Sequence, residues 1–448
     1  MSIDPIILGL LGWIMAQLFI MHVYHRFKIP NVGLIQAYLL NLALNHWFGA
    51  FIYTLPWYST SDYEYVKNGF TLTVYGVLAF AVGSAVLAPL AIKVFRMRWI
   101  QGKTFVPNPN LPVLSIVAGL FLYFALSPVL GRVPTVAAFV NSGWSLMTAG
   151  LCLACWKAWN LQGRRNLMRW LLFAISFPFI TTLRMGFLGT GSVSLITCLV
   201  FVSSFYRPRW KVVVAGTLAI YLGLSLFVTY LRDRTELRGV IWLDEAPFSQ
   251  RLEKFGETLK NFEFFDPTNH AHLERIDLRM NQNTFVGTSV DYLRSGLQDF
   301  AKGQTLWEAA LSLIPRAFWP DKPIVGGSGN LVSDYTGLSL SEGTSFGIGQ
   351  VMEFYINFGV PCVILGFFAL GFLIALFDIA AGYRLSRGNW QGFAFWFFPG
   401  LGFIQSTGSL VEVVSTVVVS LIFCYLLNKY LLPRFSGRKL FRQKRVPS

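Results

Sequence analysis

Charged side chains are scarce in this sequence. Asp, Glu, Lys and Arg make up 13% of its 448 residues, against about 25% in ordinary soluble domains. The shortfall comes from long uncharged runs carrying 41 Phe and 14 Trp, and 54% of the chain is hydrophobic. That composition excludes a soluble globular fold and predicts an all-α polytopic membrane protein. Several catalytic signatures are missing too. There is no GxxxxGK[ST], so the GGSG at 326–329 is not a nucleotide-binding loop, and HExxH and GxSxG are absent. The longest hydrophilic segment contains no cysteine, which rules out a disulfide there. All five cysteines (152, 155, 198, 362 and 424) fall in apolar runs, where Cys152-x-x-Cys155 reads as two buried thiols. No internal repeat is evident, which weighs against a transporter built from inverted halves. The first apolar segment lacks a basic leader and a small-residue cleavage site, so it reads as a retained span.

What is present is a series of apolar runs. We expect eleven spans, near 5–23, 33–55, 69–92, 111–131, 134–156, 170–183, 186–205, 211–231, 347–382, 390–407 and 410–431. The sixth is short, so the sixth and seventh are expected to form a broken hairpin. The net charge of +15 is not a nucleic-acid signal, because of where it sits. Alternate connections hold 22 Lys and Arg, and the short connections on the other side hold three (Lys67, Arg132, Arg184). Long loops do not vote on orientation. The expected arrangement has the N-terminus outside and the C-terminus in the cytoplasm. It divides into spans 1–231, an outer loop 232–346, spans 347–433 and a basic tail 434–448.

Candidate chemistry gathers at the outer side. The stretch 314–357 begins IPRAFWPDKPIVGGSG, with Arg316 and Lys322 bracketing Phe318, Trp319 and Asp321. Two prolines stiffen this loop, and the glycines after it allow close backbone approach to a ligand. A cationic, aromatic, glycine-rich loop suits an anionic lipid headgroup. Glu353 follows within the ninth span, and an ionisable residue there is a functional candidate by default. Glu412 has a weaker claim, and Asp378 is expected to be solvated or paired with Arg384.

Arg184 lies between two short apolar segments, followed by Gly186, Gly189 and Gly191, where an anion would meet exposed N–H groups. After the eighth span, Arg232, Arg234 and Arg238 interleave with Asp233 and Glu236. Local pairing is expected for most of them, with Arg232 the one nearest the membrane.

Residues 248–262 place Phe248, Leu252, Phe255, Leu259 and Phe262 on one helical stripe, as for a helix lying on the membrane or capping the loop. Next comes a polar segment with His270, His272, Arg275, Asp277, Arg279, Asn281 and Asn283. It reads either as a surface for sugar hydroxyls or as a solvated helix. His270-x-His272 lacks a convincing third ligand, so no metal is expected. Asn41, Asn45 and His46 share one face of the second span, as for hydrogen bonds between helices.

The order of many spans, one large outer loop, "IPRAFWPDKP", a glycine-rich turn and "TSFGIGQVMEFYINFGVPCVILGF" resembles the bacterial O-antigen and exopolysaccharide repeat-unit polymerases (Wzy-type). These share a GT-C-like membrane fold with the O-antigen ligases. The resemblance implies a metal-independent glycosyltransferase of the inner membrane, working without a cofactor. It would transfer a glycan from undecaprenyl diphosphate to an incoming lipid-linked repeat unit at the outer face. It implies cations for the diphosphate (Arg132, Arg184, Arg232, Arg316, Lys322) and a base for the acceptor hydroxyl (Glu353, Asp321 or His272). Glycan contacts would come from Arg275, Asp277, Arg279, Asn281 and Trp319. Chain-length regulator and flippase proteins are the implied partners, with no nucleic acid. A ligase and a lipid-linked oligosaccharide flippase are the competing readings.

Overall fold

The computed structural model describes residues 4–102, 107–131, 139–206, 210–243, 247–314, 319, 327–339, 347–427 and 429. Among them every regular element is helical. Five helices are long and apolar enough to cross a membrane: Pro5–Arg26, Tyr63–Val94, Leu111–Leu130, Arg164–Met185 and Val360–Ser386. The eleven expected spans are therefore met at the coarser level, a helical membrane protein.

In chain order the helices that position the site are α1 (Pro5–Arg26), α2 (Leu34–Asn45), α3 (Tyr63–Val82), α4 (Leu111–Leu120), α5 (Gly143–Lys157), α6 (Phe177–Met185), α7 (Leu188–Ser203) and α8 (Trp210–Arg238). The outer loop contributes α9 (Phe248–Lys260), α10 (His270–Met280), α11 (Asn283–Arg294), α12 (Gln304–Leu311) and α13 (Ser328–Thr336). The chain then closes with α14 (Gln350–Phe358), α15 (Val360–Ser386), α16 (Trp390–Gly400) and α17 (Leu410–Leu426).

Helix α3 is the hub: α1, α11 and α15 all pack along it. In a bilayer the lipid is as apolar as a leucine side chain, so helices associate where small residues let backbones meet. That is the case here. A Cβ on Gly371 of α15 would collide with the Phe80 carbonyl of α3, and one on Gly69 of α3 with the Asn283 carbonyl of α11. The 232–346 loop is thus seated directly on α3 through α11.

Several expected spans are broken. The second ends as a regular helix at Asn45, and a separate turn of helix, Trp47–Ile52, follows His46. The expected ninth span splits at Gly359, whose φ of 67° stops α14, and Pro361 in the first turn of α15 restarts the chain. Helix α14 folds back along α15, with the Phe354 ring 5.9 Å from that of Phe367. The sixth and seventh segments do form a broken pair, separated at Gly186.

Asp378 departs from expectation. It is fully buried, and its Oδ1 accepts the N–H groups of Val32 (2.7 Å) and Leu34 (3.2 Å) at the start of α2. Arg384 instead donates to the carbonyls of Trp99, Ile100 and Ala380. A carboxylate at a helix N-terminus meets the unsatisfied N–H groups and the positive end of the dipole.

Candidate functional site

Two polar assemblies stand out. The first is a buried seam where the 347–350 and 404–410 chain breaks meet. Gly349 N–H donates to the Thr407 carbonyl (3.0 Å) and Gln350 N–H to the Ser406 carbonyl (3.3 Å). Gly347 lies so close to the Thr407 carbonyl that a Cβ would not fit, which is why glycine is required there. Tyr38 donates to Gln350 Oε1 (2.6 Å), Gln350 Nε2 to the Gln405 carbonyl (3.1 Å), and Asn41 to the Ile404 carbonyl. Glu353 sits one turn along α14 and is wholly buried. Its Oε2 accepts the Leu410 N–H at 2.6 Å, at the N-terminus of α17. Its Oε1, like Gln282 Oε1 nearby, has no partner among the described residues.

Glu412 closes a capping box with Ser409 on the same helix start, and Ser328 of the glycine-rich loop donates to it at 3.2 Å. A single helix N-terminus therefore gathers two carboxylates. Around it the loop is stitched to the spans: Asn357 donates to Thr305 (2.7 Å), and His46 Nδ1 donates to Asn283 Oδ1 (2.8 Å). Of the three polar residues expected to bond between helices, Asn41 and His46 do so by side chain. Asn45 turns its amide onto the Asn41 carbonyl of its own helix.

The second assembly is cationic and surrounds the Gly186 turn. Arg184 lies over the Tyr123 ring (4.6 Å to its centre) and near Phe124 (5.4 Å). Arg238 Nε reaches the Gly186 carbonyl at 3.5 Å, and its guanidinium covers the Phe187 ring at 4.4 Å. Arg234 lies one turn before it on α8, and Arg279 on α10 feels both. Burial first, then Arg234 and Arg238, push the Arg279 guanidinium below its usual range. Burial and Arg234 push Arg238 in the same direction. Arg234, Arg238 and Arg279 are thus like charges held together at partly buried positions, with Arg184 two residues before the Gly186 turn.

The other sequence candidates divide clearly. Arg232 is not part of this cluster: it pairs with Asp233 and Glu263, both at 2.7 Å, and donates to the Asn261 carbonyl. Its neighbour at i+2 points elsewhere on the helix, and the i, i+4 spacing of Arg234 and Arg238 is the sequence signal that marks the cationic face. Glu263 also takes Arg275 (3.2 Å) and His272 Nε2 (3.4 Å), while His272 Nδ1 accepts the Asp266 N–H. His272 is buried with both ring nitrogens engaged, a structural setting and not that of an available base. Asp277 accepts hydrogen bonds from Tyr53, Tyr58 and Asn281. Arg275, Asp277 and Asn281 thus knit the loop together and to the Tyr53–Tyr58 segment, while His270 and Glu274 of the same helix stay exposed. Trp319 is half-buried in irregular chain. Arg132, Arg316, Asp321 and Lys322 lie outside the described residues. Among the described contacts no side chain bridges Glu353 and Arg184.

A family model matches residues 82–435, which takes in the cationic assembly and the 347–412 side of the seam but not its Tyr38, Asn41 and His46. The chain belongs to the DUF8712 family, a domain of unknown function. Comparison with curated proteins and with solved structures gives no match. Among the described residues there is no group of His, Cys, Asp and Glu that could hold a metal ion.

Proposed function

We propose that this family member is a membrane glycosyltransferase of the repeat-unit polymerase type, acting on lipid-diphosphate-linked oligosaccharides at the outer face of the inner membrane. The observation that carries the reading is the arginine seat around Gly186. A sugar leaving a lipid diphosphate hands its bonding electrons to the diphosphate, and fixed cations lower the cost of that charge. Arg184, Arg234, Arg238 and Arg279 have the chemistry to meet it, and Tyr123, Phe124 and Phe187 give the guanidiniums flat surfaces that hold them in place. Arg316 and Lys322 are further candidate cations by sequence. The acceptor hydroxyl must lose a proton, for which Glu353 and Asp321 are the proposed bases. His272 drops out because both its nitrogens are occupied.

The test is lipid-linked oligosaccharide profiling in a strain carrying only variant protein. Arg238→Ala and Arg279→Ala should each leave single, outward-facing repeat units unpolymerised, with a rate loss of about 10²–10³. Lysine at the same positions should restore part of the activity, since charge returns without the planar fork. Normal chain lengths in both alanine variants, at matched protein levels, would sink the reading. Lipid-linked long chains that persist without ligation would mean a ligase, and inward-facing single units a flippase.

A further inference from the structure

A third assembly lies where α15 meets α16, among connections that contain bases and no acid. An open surface cavity of about 440 Å³ lies between α15, α16 and the 98–102 segment, lined by Trp99, Arg384, Asn389, Gln391, Phe395 and Trp396. Arg384 is fixed at its rim by hydrogen bonds to the carbonyls of Trp99 (2.7 Å), Ile100 (2.6 Å) and Ala380 (3.0 Å), and it lies 5.3 Å from the centre of the Trp396 ring. Arg387, one turn on, donates to the carbonyls of Gln101 (3.1 Å) and Gly102 (2.8 Å). Every one of these acceptors is neutral. They hold the guanidiniums in place and leave both charges uncancelled. The ion pairs found among the described residues run from Glu64 to Lys302 and none involves this assembly. The sequence agrees: the connections at 24–33, 93–110, 157–169, 204–210 and 384–391 contain no Asp or Glu.

We propose that this cavity binds the phosphate headgroup of an anionic glycerophospholipid from the leaflet on the basic side. One immobilised cation in the cavity wall, with a second one turn along the same helix, calls for an anion, and the surroundings say which. Trp99 and Trp396 lie at the rim with ring centres 5.2 Å apart and planes tilted by 31°, and tryptophan is the residue enriched at headgroup depth. Val94, Phe95 and Trp99 expose apolar surface beside it, at 61%, 72% and 50%, which suits acyl chains and not a water-borne ion. Basic pockets between helices at this depth are where anionic headgroups are recognised. Arg384 Nε has no acceptor among the described residues and is the donor left for a phosphate oxygen. The site would tie the start of α16 and the segment 98–102 to the bilayer. It rests on the membrane character of the chain and not on the transferase reading.

Full-length protein, stripped of lipid in mild detergent, would be titrated with phosphatidylglycerol, phosphatidylcholine and inorganic phosphate and read by native mass spectrometry. Phosphatidylglycerol should be retained as one discrete adduct and phosphatidylcholine should not. Arg384→Gln and Arg387→Gln should each weaken retention about fivefold, and about thirtyfold together. Gln391→Trp fills the cavity and leaves both guanidiniums, so it should lose the adduct while unfolding at the wild-type temperature. Equal retention of the two lipids overturns the proposal. So does unchanged binding in both Arg387→Gln and Gln391→Trp, or displacement of the lipid by phosphate at equal concentration.

Discussion

Glu353 meets two demands with one side chain. Its carboxylate is sealed from solvent, yet it completes the first turn of α17 by accepting the Leu410 N–H. An amide oxygen can accept the same bond, so Glu353→Gln should keep most of the stability. Glu353→Ala leaves a buried donor without a partner and should cost about 1–3 kcal/mol, measured as a fall in thermal unfolding temperature. If the two variants unfold alike, the capping role is wrong. Glu263 is the corresponding residue of the loop. Arg232, helped by Arg275, holds its carboxyl below the usual range, and Arg232 does the same to Asp233. A depressed carboxyl stabilises the fold fully above its unfolded value, about pH 4, and that contribution disappears as pH falls through the lower folded values. Asp277 has the opposite sign, because burial raises it. Amide exchange across 229–275 should therefore rise on acidification below about pH 4, and less steeply in Arg232→Gln. Equal slopes in the two proteins would refute the assignment.

At the scale of elements, the sequence was most legible where one property decided the outcome. Apolar runs located α1, α3 and α15, and the weak sixth segment announced the break before α7. The second and ninth segments misled because hydropathy reports affinity for lipid and not continuity of the helix. His46 and Gly359 interrupt runs that remain apolar on both sides. The FGVPC at 358–362 carried the clue, since a glycine followed two residues later by proline ends one helix and starts another. Pairing was less legible still. Nothing in the order of residues says that Gln350 will meet Tyr38, 312 positions away, or that Arg232 turns from the seat formed by Arg234 and Arg238. The contact between α3 and α15 offers a direct check. Gly371→Ala drives a methyl into the Phe80 carbonyl, and overpacking of this kind costs about 1–3 kcal/mol. Gly189→Ala, which would meet nothing within 4 Å, is the matched control. Both should be scored by thermal unfolding, and equal behaviour would mean the helices separate at no cost.

For the molecule as a whole, the distribution of charge is the most economical statement of how it sits. Among the described residues the ion pairs all lie between Glu64 and Lys302, and the connections 24–33, 93–110, 157–169, 204–210 and 384–391 contain bases without an acid. A single cysteine at Asp299, whose side chain is 92% exposed, should react with an impermeant maleimide added from the periplasmic side. One at Leu440 should react only after permeabilisation, in each case after the five native thiols have been replaced. Reversed labelling would place the arginine seat in the cytoplasm and end the transferase reading. The meeting of the two chain breaks has its own consequence for how such a chain is made. The carboxylate of Glu353 and the N–H it caps are 57 residues apart, and Gln350 waits on carbonyls that emerge from the ribosome almost as late. While α15 and α16 are being inserted, Glu353 and the Gln350 amide must idle without the partners they later take from 405–410. Final closure then falls to the last helix delivered, so a chain stopped before Ser406 would hold nearly all of its spans and the bonds of Tyr38 and Asn41, but not those to Ser406, Thr407 and Leu410.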